Sequence, residues 1–582
     1  MRGSRTSTRA RVALGLLFCG YLGLAVVGGA PRSPVVPPPP PGVRGPGWAT
    51  EGARLLGLDR LGPRSLAAVF LGLLALAVAL FALLLLEGWR GRLSLGAALA
   101  GTLASAAVMV AAPLLLSRDV YSYAAYGRML VVHGADPYRV PPAAFPGDPF
   151  TPVVSSQWLH MRSLYGPLFT LLSGGLVRMA PDPGSTVFGF KALAGLSLLV
   201  AAATTGAASR AVRPGREGFA AAAVGLNPVL VAHTVGGGHN DALVGALLAG
   251  GLLGAVRAVQ RPSTPPQRPT PHSARGLHSG HLWGAAELAA TLLLALAALV
   301  KAVAALPLLV WWWWLARSRW EARAPASRPV GWRRSLAKAA PHVGAAALVA
   351  GAVTLSVTSG WSALRSLVTL VSVEGWASGA RLVARGAQAL GEALGAEGAA
   401  AALRLAVHAG FLLVAASATW AVLRRTAARP GDPAGFPQGM RLADALGVPV
   451  LVFVLGSPYL LPWYAAWFAP FLPLLSDRVL RLAGLACAGL LALTAVPAEP
   501  ASDPGLWGAS LLAVHYAVAP LVLVLFGAAV TRVLVPGGLL PRTEGRRAQR
   551  GRAPGGSSPG RGPYGGSSGG PTVTSRAPKA LA

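Results

Sequence analysis

Residues 93–128 read LSLGAALAGTLASAAVMVAAPLLLSRDVYSYAAYGR, and the apolar run in this stretch ends abruptly in charged, tyrosine-rich sequence. The run from 93 to 116 is long enough to cross the hydrocarbon core of a bilayer, which needs about 20 apolar residues. The segment that follows, 117–165, concentrates aspartate, arginine, histidine and tyrosine side chains. We therefore predict a membrane helix that leads into a structured polar loop at the membrane surface.

Apolar runs of similar length recur along nearly the whole chain. Of its 582 residues, 53% are hydrophobic and 12% are charged, whereas a soluble domain carries about 25% charge. Backbone polar groups inside lipid must bond within their own segment, so these runs are expected to be helices. The composition predicts an all-α polytopic membrane protein of about 13–15 membrane helices and excludes a large water-soluble catalytic domain.

Composition divides the chain into three parts. Residues 1–64 combine an apolar run, either a first membrane helix or a secretory signal, with a stiff proline-rich linker. Residues 65–535 form the membrane domain, with the polar loop 117–165 on its outer side. Residues 536–582 are basic and rich in glycine, proline and serine, and are expected to be disordered.

The net charge of +31 comes mostly from arginines in loops and tails. Nucleic-acid binding needs a folded basic face, so this distribution argues against it. The two cysteines, Cys19 and Cys487, lie in apolar segments and indicate neither a disulfide framework nor a metal cluster.

The basic connections set the orientation, because Lys and Arg accumulate on the cytoplasmic side of a membrane protein. Strongly basic connections lie at 209–216, 257–282, 316–338 and 424–441. On this basis the outer side receives the polar motifs: the loop 117–165, GGGHND at 236–241, Lys301, the segment 358–398 and SPYLLPWY at 457–464. We expect these motifs to converge on the extracytoplasmic side.

Lys301 stands alone in the apolar run 284–316, which has a basic connection at each end. Two short helices that turn near Lys301 satisfy the orientation rule, whereas one tilted helix does not. A charge in the membrane core costs roughly 2.5–3.5 kcal/mol on insertion scales, so Lys301 should have an anionic partner or a watery cavity. A lipid phosphate is one candidate partner, and snorkelling to the interface is the alternative. The segment 166–180 disturbs the same alternation, and we predict that it is short or re-entrant.

Asp119 follows the apolar run 93–116 into the polar loop. An ionised carboxylate at such an exit can take a proton from an acceptor hydroxyl. The alternative is an interfacial residue that pairs with Arg118 or caps a helix beginning at Val120. Spacing alone leaves both interpretations open.

The motif GGGHND places His239, Asn240 and Asp241 directly before an Ala- and Leu-rich helix. The glycines allow a close approach of the backbone to a ligand, and a helix N-terminus favours anions or hydroxyl oxygens. The alternative is a simple helix cap. One histidine and one aspartate do not make a metal set, so we expect no cofactor, although carboxylates could hold a divalent cation.

The motif SPYLLPWYAAW brings four aromatic side chains to the outer boundary: Tyr459, Trp463, Tyr464 and Trp467. Such residues form either an aromatic belt at the membrane interface or a platform for a sugar ring or a lipid chain.

Taken in order, SRDVYSYAAYGRMLVVHGADPY, SLYGPL, NPVL…GGGHNDAL, LVKAVAALP and SPYLLPWY resemble the actinobacterial polyprenol-phosphomannose-dependent α-1,6-mannosyltransferases of the GT-C superfamily. The resemblance covers roughly residues 65–535 and leaves out the N-terminal linker, the loop 260–282 and the tail. It implies a GT-C-like helical bundle that uses polyprenyl-phosphate mannose as donor. The acceptor implied is a growing α-1,6-mannan of the lipomannan or lipoarabinomannan type, extended with inversion on the outer face of the cell membrane.

The resemblance also implies roles for individual residues. The acidic residue early in the first outer loop of such enzymes, taken as the catalytic base, matches Asp119, and a basic residue near the lipid phosphate matches Lys301. The remaining candidate substrate contacts are Arg128, Tyr165, His239, Asn240, Asp241, Tyr459 and Trp463. The segment 358–398 has no clear match, so the acceptor stays open. The expected partners are the lipid-linked donor, a mannoside acceptor and the bilayer, without nucleic acid.

A lipid-linked sugar flippase or transporter is the alternative from another class. It would explain the helices, the lone lysine and the polar outer loops without any chemistry. Transporters often carry internal repeats that bring polar residues from both halves to the midplane, and the sequence has no convincing repeat. A non-catalytic scaffold leaves Lys301 and the His-Asn-Asp triplet without a role.

Overall fold

Helices account for all the regular structure in the part of the chain that the computed structural model describes. The described residues are 5–260, 284–321, 332–358, 362–363, 374–395, 397–426, 438–498 and 503–535. The basic tail and the loop 261–283 lie outside them, so the predicted disorder of the tail stays a prediction.

The helices of the first half are α1 (Thr8–Gly28), α2 (Gly47–Leu55), α3 (Pro63–Trp89), α4 (Leu95–Ala111), α5 (Asp119–Val131), α6 (Ser156–Leu159), α7 (Pro167–Met179), α8 (Pro183–Val212), α9 (Glu217–Gly225) and α10 (Asp241–Gln260). Those of the second half are α11 (Ala285–Val300), α12 (Ala305–Glu321), α13 (Trp332–Leu355), α14 (Gly379–Ala393), α15 (Glu397–Thr426), α16 (Gln438–Leu455), α17 (Ala465–Phe468), α18 (Arg478–Ala492), α19 (Pro504–Ala513) and α20 (Ala519–Leu534).

Eight helical segments of the described chain are long and apolar enough to cross a membrane, by length and composition. They are Thr8–Gly28, Pro63–Trp89, Pro183–Val212, Glu217–Val235, Asp241–Gln260, Ala399–Thr426, Gln438–Leu455 and Pro504–Leu534. Five shorter apolar helices accompany them. The predicted all-α polytopic class is confirmed, and the eight segments of membrane-spanning length in the described ranges are fewer than the predicted number of about 13–15 membrane helices.

Polar side chains fix several helix starts. The Ser94 hydroxyl accepts the Ala97 N–H at 3.2 Å, and the Asp182 carboxylate accepts the Ser185 N–H at 2.7 Å. Such caps satisfy backbone N–H groups that have no partner inside the helix and so stabilise the first turn. The apolar runs between these caps then fold as continuous helices.

The chain doubles back at Lys301. This residue is extended, with φ −145° and ψ 128°, between α11 and the 3₁₀ turn that leads into α12. The Trp311 indole N–H donates to the Thr291 hydroxyl at 3.0 Å. In one continuous helix these two residues would lie about 30 Å apart. The predicted turn of two short helices at Lys301 is therefore confirmed.

Helix α7 is short, as predicted for the segment 166–180. Its 13 residues rise about 20 Å, less than the roughly 30 Å hydrocarbon core of a bilayer. It packs against α5, the helix that follows the apolar run 93–116.

The proline-rich linker is more structured than a stiff spacer. It contains α2, whose Ala49 and Ala53 are fully buried, and the Trp48 indole N–H donates to the Ala111 carbonyl at 3.1 Å. The carbonyl of Val35 accepts the Leu116 N–H at 2.7 Å. The linker therefore packs against the chain just before the polar loop, because its alanines give α2 a face that can be buried.

Candidate functional site

Asp119 follows a strained turn. Leu116 has φ 64°, the only positive φ at a non-glycine position in the described ranges. The left-handed conformation costs a residue with a Cβ atom about 1–2 kcal/mol, so the surrounding contacts must hold it. Asp119 then begins α5, and its N–H donates to the Ser117 hydroxyl at 3.1 Å. The carboxylate sits at the positive end of a helix, which favours its ionised form.

The motif GGGHND meets this loop at His239. Its Nδ1 lies 3.6 Å from the Asp119 carboxylate and 3.3 Å from the Tyr123 hydroxyl. Trp463 of the motif SPYLLPWY stacks on the other side of the imidazole, with 3.7 Å between ring centroids. Three motifs separated by more than a hundred residues therefore share one site, as their predicted convergence requires.

The two titratable groups at this meeting point differ in charge. The Asp119 side chain is 18% exposed, and burial raises its pKa to about 6, an effect that the nearby Lys301 ammonium opposes. Burial and the same ammonium hold the pKa of His239 well below its usual range. At neutral pH the site therefore pairs an ionised carboxylate, more basic than an ordinary aspartate, with a neutral imidazole.

Lys301 has an anionic partner, as its position in an apolar run predicted. Its Nζ lies 2.7 and 2.8 Å from the two carboxylate oxygens of Asp241, which is fully buried. The Trp467 indole N–H donates to the same carboxylate at 2.7 Å. The ammonium also lies 5.2 Å from the centroid of the Tyr464 ring, within cation–π range. These contacts disfavour the snorkelling alternative.

Gly166 joins the polar loop to the turn at Lys301. Its N–H donates to the Val300 carbonyl at 3.0 Å, and a Cβ atom added there would lie 2.0 Å from the Leu299 carbonyl oxygen. Only glycine permits this approach. The preceding residue, Tyr165, packs its ring edge-on against Tyr123, with 4.8 Å between centroids. The motif SLYGPL therefore connects the Asp119 and Lys301 sides of the site.

Three buried polar atoms in the site have no hydrogen-bond partner among the described residues: Nε2 of His239, and Nδ2 and Oδ1 of Asn240. His239 is 1% exposed and Asn240 is 3% exposed. An unsatisfied buried polar group costs about 1–3 kcal/mol, so such groups call for an explanation. A donor and an acceptor side by side suit a ligand rich in hydroxyl groups.

The aromatic wall of the site consists of Tyr459, Trp463, Tyr464 and Trp467. Tyr459 is edge-on to Tyr464 with 6.0 Å between centroids, and Tyr464 stacks on Trp467 at 3.8 Å. Burial, together with the Asp119 and Asp241 charges, holds the pKa of Tyr459 far above its ordinary value. The hydroxyl therefore stays protonated and can donate a hydrogen bond.

Arg128 pairs with Asp148 within the polar loop rather than with the groups around Asp119. Its guanidinium Nε lies 2.7 Å from the buried Asp148 carboxylate, which also contacts the His133 ring at 2.8 Å. This ion pair holds the two ends of the segment 128–148 together. A substrate contact by Arg128 stays a prediction.

Two side chains of the site, Tyr123 and Lys191, were not among the predicted site residues. Trp467 was expected among the outer aromatic residues, but its hydrogen bond to Asp241 was not predicted. Tyr123 lies one helical turn after Asp119, a spacing that could have placed both on one face of α5. Lys191 is buried in α8 and donates to the carbonyls of Ala112 and Pro113, which end α4 just before the strained turn. The sequence feature that could have identified Lys191 is the one that identified Lys301, a single charged residue in an apolar run.

Within the described ranges, no group of three His, Cys, Asp or Glu side chains is placed to hold a metal ion. The site is defined instead by two carboxylates, one ammonium, one neutral imidazole and an aromatic wall.

Residues 36–317 match the family described as alpha-(1->6)-mannopyranosyltransferase, N-terminal domain. The match begins in the proline-rich linker and includes Asp119, the GGGHND motif and Lys301.

Individual relatives carry the same description. An α-(1→6)-mannopyranosyltransferase of Mycobacterium tuberculosis is 28% identical over 400 residues, which is 62% of each chain. A probable α-(1→6)-mannopyranosyltransferase of Mycolicibacterium smegmatis is 29% identical over 377 residues, 62% of this chain and 61% of that one. The α-(1→6)-mannopyranosyltransferase A of Corynebacterium glutamicum is 35% identical over 152 residues, 26% of this chain and 30% of that one.

The chain thus spans about three fifths of the first two relatives. No solved structure matches it. By the family match over residues 36–317 and by these relatives, the chain is similar to the α-(1→6)-mannopyranosyltransferases.

Proposed function

We propose that this protein is a membrane mannosyltransferase that uses polyprenyl-phosphate mannose as donor. It extends an α-1,6-mannan of the lipomannan or lipoarabinomannan type on the extracytoplasmic side of the cell membrane. The observation that carries the proposal is the site itself: Asp119, with its pKa raised to about 6, lies beside His239 and the Lys301–Asp241 pair. The similarity to α-(1→6)-mannopyranosyltransferases supports the choice of sugar and linkage.

In the proposed reaction Asp119 is the general base. It accepts the proton of the acceptor's primary hydroxyl while that oxygen attacks the anomeric carbon of the donor. The bond between the anomeric carbon and the phosphate oxygen breaks, and polyprenyl phosphate leaves. A β-linked donor then gives an α-linked product, so the transfer is a single inverting displacement.

Lys301 would stabilise the charge that develops on the leaving phosphate. An ammonium has three N–H donors, and Asp241 engages two of them at most. The remaining donor and the 16% exposure of the Lys301 side chain leave one oxygen of a ligand within its reach. Asp241 and Trp467 fix the direction in which this donor points.

The unsatisfied atoms of His239 and Asn240 would bind sugar hydroxyls, with Tyr165, Tyr459 and Trp463 as apolar faces and walls around the ring. Hydroxyl-rich ligands can satisfy both a donor and an acceptor at once. Arg128 stays an auxiliary candidate, because Asp148 already neutralises it.

The extracytoplasmic location is supported by charge. The end of α10 farthest from Asp241 lies against the basic connection 209–216, since the Gln260 amide donates to the Ala211 carbonyl at 2.6 Å. Basic connections favour the cytoplasm. The site, at the other end of α10, then faces outward.

The decisive experiment is acceptor elongation by purified protein. The protein in nanodiscs is incubated with polyprenyl-phosphate mannose and a synthetic α-1,6-dimannoside, and the product is analysed by mass spectrometry and linkage analysis. We expect a trisaccharide with a new α-1,6 bond. Absence of elongation, combined with movement of the lipid donor across sealed liposomes, would instead establish the flippase alternative.

A further inference from the structure

A second charged cluster lies on α14, α15 and the residues before them. Glu374 contacts Arg385 at 2.8 Å, Arg381 at 3.6 Å and Arg404 at 3.8 Å, and the His408 ring at 3.7 Å. Among the described residues, three guanidinium groups therefore surround one carboxylate. The cluster carries an excess of positive charge even with His408 neutral.

In this cluster Arg381 is held by its neighbours, whereas Arg385 and Arg404 are open to solvent. The Arg381 guanidinium lies 4.1 Å from the centroid of the Trp376 ring and 3.1 Å from the His515 ring nitrogen, and its side chain is 11% exposed. Arg385 and Arg404 are 43% and 38% exposed. Their free N–H groups can therefore reach a ligand without any rearrangement of the core.

The segment that carries the cluster is hydrogen-bonded to the turn that leads into the proposed transfer site. The Gly375 N–H donates to the Pro458 carbonyl at 2.9 Å, and the Ser378 hydroxyl donates to the Ser457 carbonyl at 2.6 Å. A Cβ atom at position 375 would lie 2.7 Å from the Leu460 backbone, so this contact is as close as two backbones allow. The turn that it touches continues directly into Tyr459, which belongs to the aromatic wall.

The helix that carries the arginines also exposes apolar side chains. Helix α14 bears Arg381 and Arg385, yet Leu390 on it is 60% exposed and Leu394 at its end is 74% exposed. On α15, Leu405 next to Arg404 is 62% exposed. A helix with basic and apolar faces of this kind lies at the boundary between head groups and acyl chains.

Two requirements are met together at this cluster. Guanidinium forks match the paired oxygens of a phosphate better than any other side chain, and the neighbouring leucines suit acyl or prenyl chains. We infer that Arg381, Arg385 and Arg404 form a binding site for the phosphate group of an anionic membrane lipid, beside the transfer site and separate from Lys301. This inference goes beyond the proposed function, because it requires binding alone.

The test is lipid binding by the full chain in phosphatidylcholine nanodiscs. Four probes are titrated: polyprenyl phosphate, phosphatidylglycerol, unphosphorylated polyprenol and inorganic phosphate. The double variant Arg385→Gln/Arg404→Gln is compared with the wild type. Arg424→Gln, an exposed arginine near the other end of α15, serves as the matched control. The lysine pair Arg385→Lys/Arg404→Lys keeps the positive charge but cannot make the paired hydrogen bonds of a guanidinium group.

We expect the glutamine pair to weaken binding of the lipid phosphates about tenfold or more, the loss of one or two charge-assisted hydrogen bonds. The lysine pair should fall in between, and Arg424→Gln and polyprenol binding should not change. Selective binding of polyprenyl phosphate identifies the lipid carrier of the donor as the ligand, and equal binding of phosphatidylglycerol identifies a bulk lipid head group.

The inference is overturned if the glutamine pair binds the lipid phosphates as the wild type does, or if inorganic phosphate binds as tightly as they do. An equal loss of polyprenol binding would also overturn it, because that loss would reflect damage to the fold. Mannose transfer is not part of this assay. The two proposals can therefore fail separately. If the glutamine pair binds the lipid phosphates normally while the wild type elongates the acceptor, the lipid site is contradicted and the proposed function is supported.

Discussion

The two ends of α10 differ in how the charged and polar groups around them are bonded. At its start, Asp241 lies beside side-chain atoms without a hydrogen-bond partner, on His239 and Asn240. Its other end, 20 residues later and about 30 Å away, contacts the chain near Ala211. Close by, the Arg213 guanidinium and Arg481 donate to one carbonyl, that of Leu475, at 2.6 and 2.7 Å.

The carboxylates near that second end are fully engaged. Asp444 accepts the Ser476 N–H at 2.8 Å and also its hydroxyl. Asp477 accepts the Leu480 N–H at 3.0 Å and the Arg532 guanidinium at 2.7 Å. Satisfied carboxylates of this kind stabilise a fold. The contrast between the two ends rests on the carboxylates and on the strained turn near Asp119, because buried polar atoms without a partner among the described residues occur at both ends, on His239 and Asn240 at the first and on Arg213 and Ser209 at the second. The comparison assigns structure to one end and chemistry to the other.

The largest expected effect is that of Asp119→Asn, which removes the base and keeps the shape of the side chain. Transfer should fall about 10³-fold, within the range of general-base catalysis, as measured by acceptor elongation. The reciprocal change is Asp477→Ala, which removes a helix cap worth about 1 kcal/mol and one partner of Arg532. That variant should lose thermal stability and keep its turnover per folded molecule. If Asp119→Asn transferred mannose at a near-normal rate, the division between the two ends would fail.

Lys301→Met should have the next largest effect. It leaves the Asp241 carboxylate buried and unpaired, and breaking such a pair costs about 3–5 kcal/mol. The double variant Lys301→Met/Asp241→Asn should recover most of that loss, since no charge is then stranded, yet it should stay poor in transfer. Thermal unfolding in detergent measures the first expectation and the elongation assay the second. Equal melting temperatures for the single and double variants would show that the pair is not coupled.

Gly166→Ala tests the contact between the polar loop and the turn at Lys301. The added methyl group meets the Leu299 carbonyl, and overpacking of this kind costs about 1–3 kcal/mol. We expect a lower melting temperature and a reduced rate of transfer. Gly175 lies on α7, the helix that begins directly after Gly166, with nothing within 4 Å of an added Cβ atom. Gly175→Ala should be neutral or slightly stabilising, and equal behaviour of the two variants would contradict the contact.

The pH dependence gives the smallest effect. Burial raises the pKa of Asp119 from 3.8 to about 6, so kcat/KM should fall tenfold per pH unit below about 6 and level off above it. His239 cannot produce this limb, because its pKa lies well below 6.5. A profile flat down to pH 5 would exclude Asp119 as the base.

The same shift has a consequence for stability. A carboxyl group with a raised pKa disfavours the fold in its ionised form, and this penalty builds up between pH 3.8 and about 6 and persists above. Asp119→Asn removes the penalty. At pH 7.5 the inactive variant should therefore melt no lower than the wild type, in contrast to Asp477→Ala.

Much of this arrangement could be predicted from local sequence. Apolar run length predicts the helices, and basic connections around a single lysine predict the turn at Lys301. Both rest on the cost of placing charge and unpaired backbone in lipid, which acts on each segment separately. The convergence of Asp119, His239 and Trp463 followed from the same orientation rule.

Pairwise contacts could not be predicted, because they depend on how distant segments pack. Asp241 is the partner of Lys301 and Asp148 is the partner of Arg128, but neither spacing has a helical period. The helix α2 in the linker was missed for a similar reason: prolines dominated the local pattern, while two buried alanines decided the outcome.

The pairing of Lys301 with Asp241 also sets an order of events during biosynthesis. The carboxylate is made 60 residues before its ammonium. At about 5–20 residues per second, it waits about 3–12 s for that partner. Until then α10 must enter the bilayer with its acidic end at the water interface or held by the insertion machinery, because a charge in the core is costly. The site can therefore close only after the turn at Lys301 has been inserted, which makes completion of the active site a late step in the assembly of the protein.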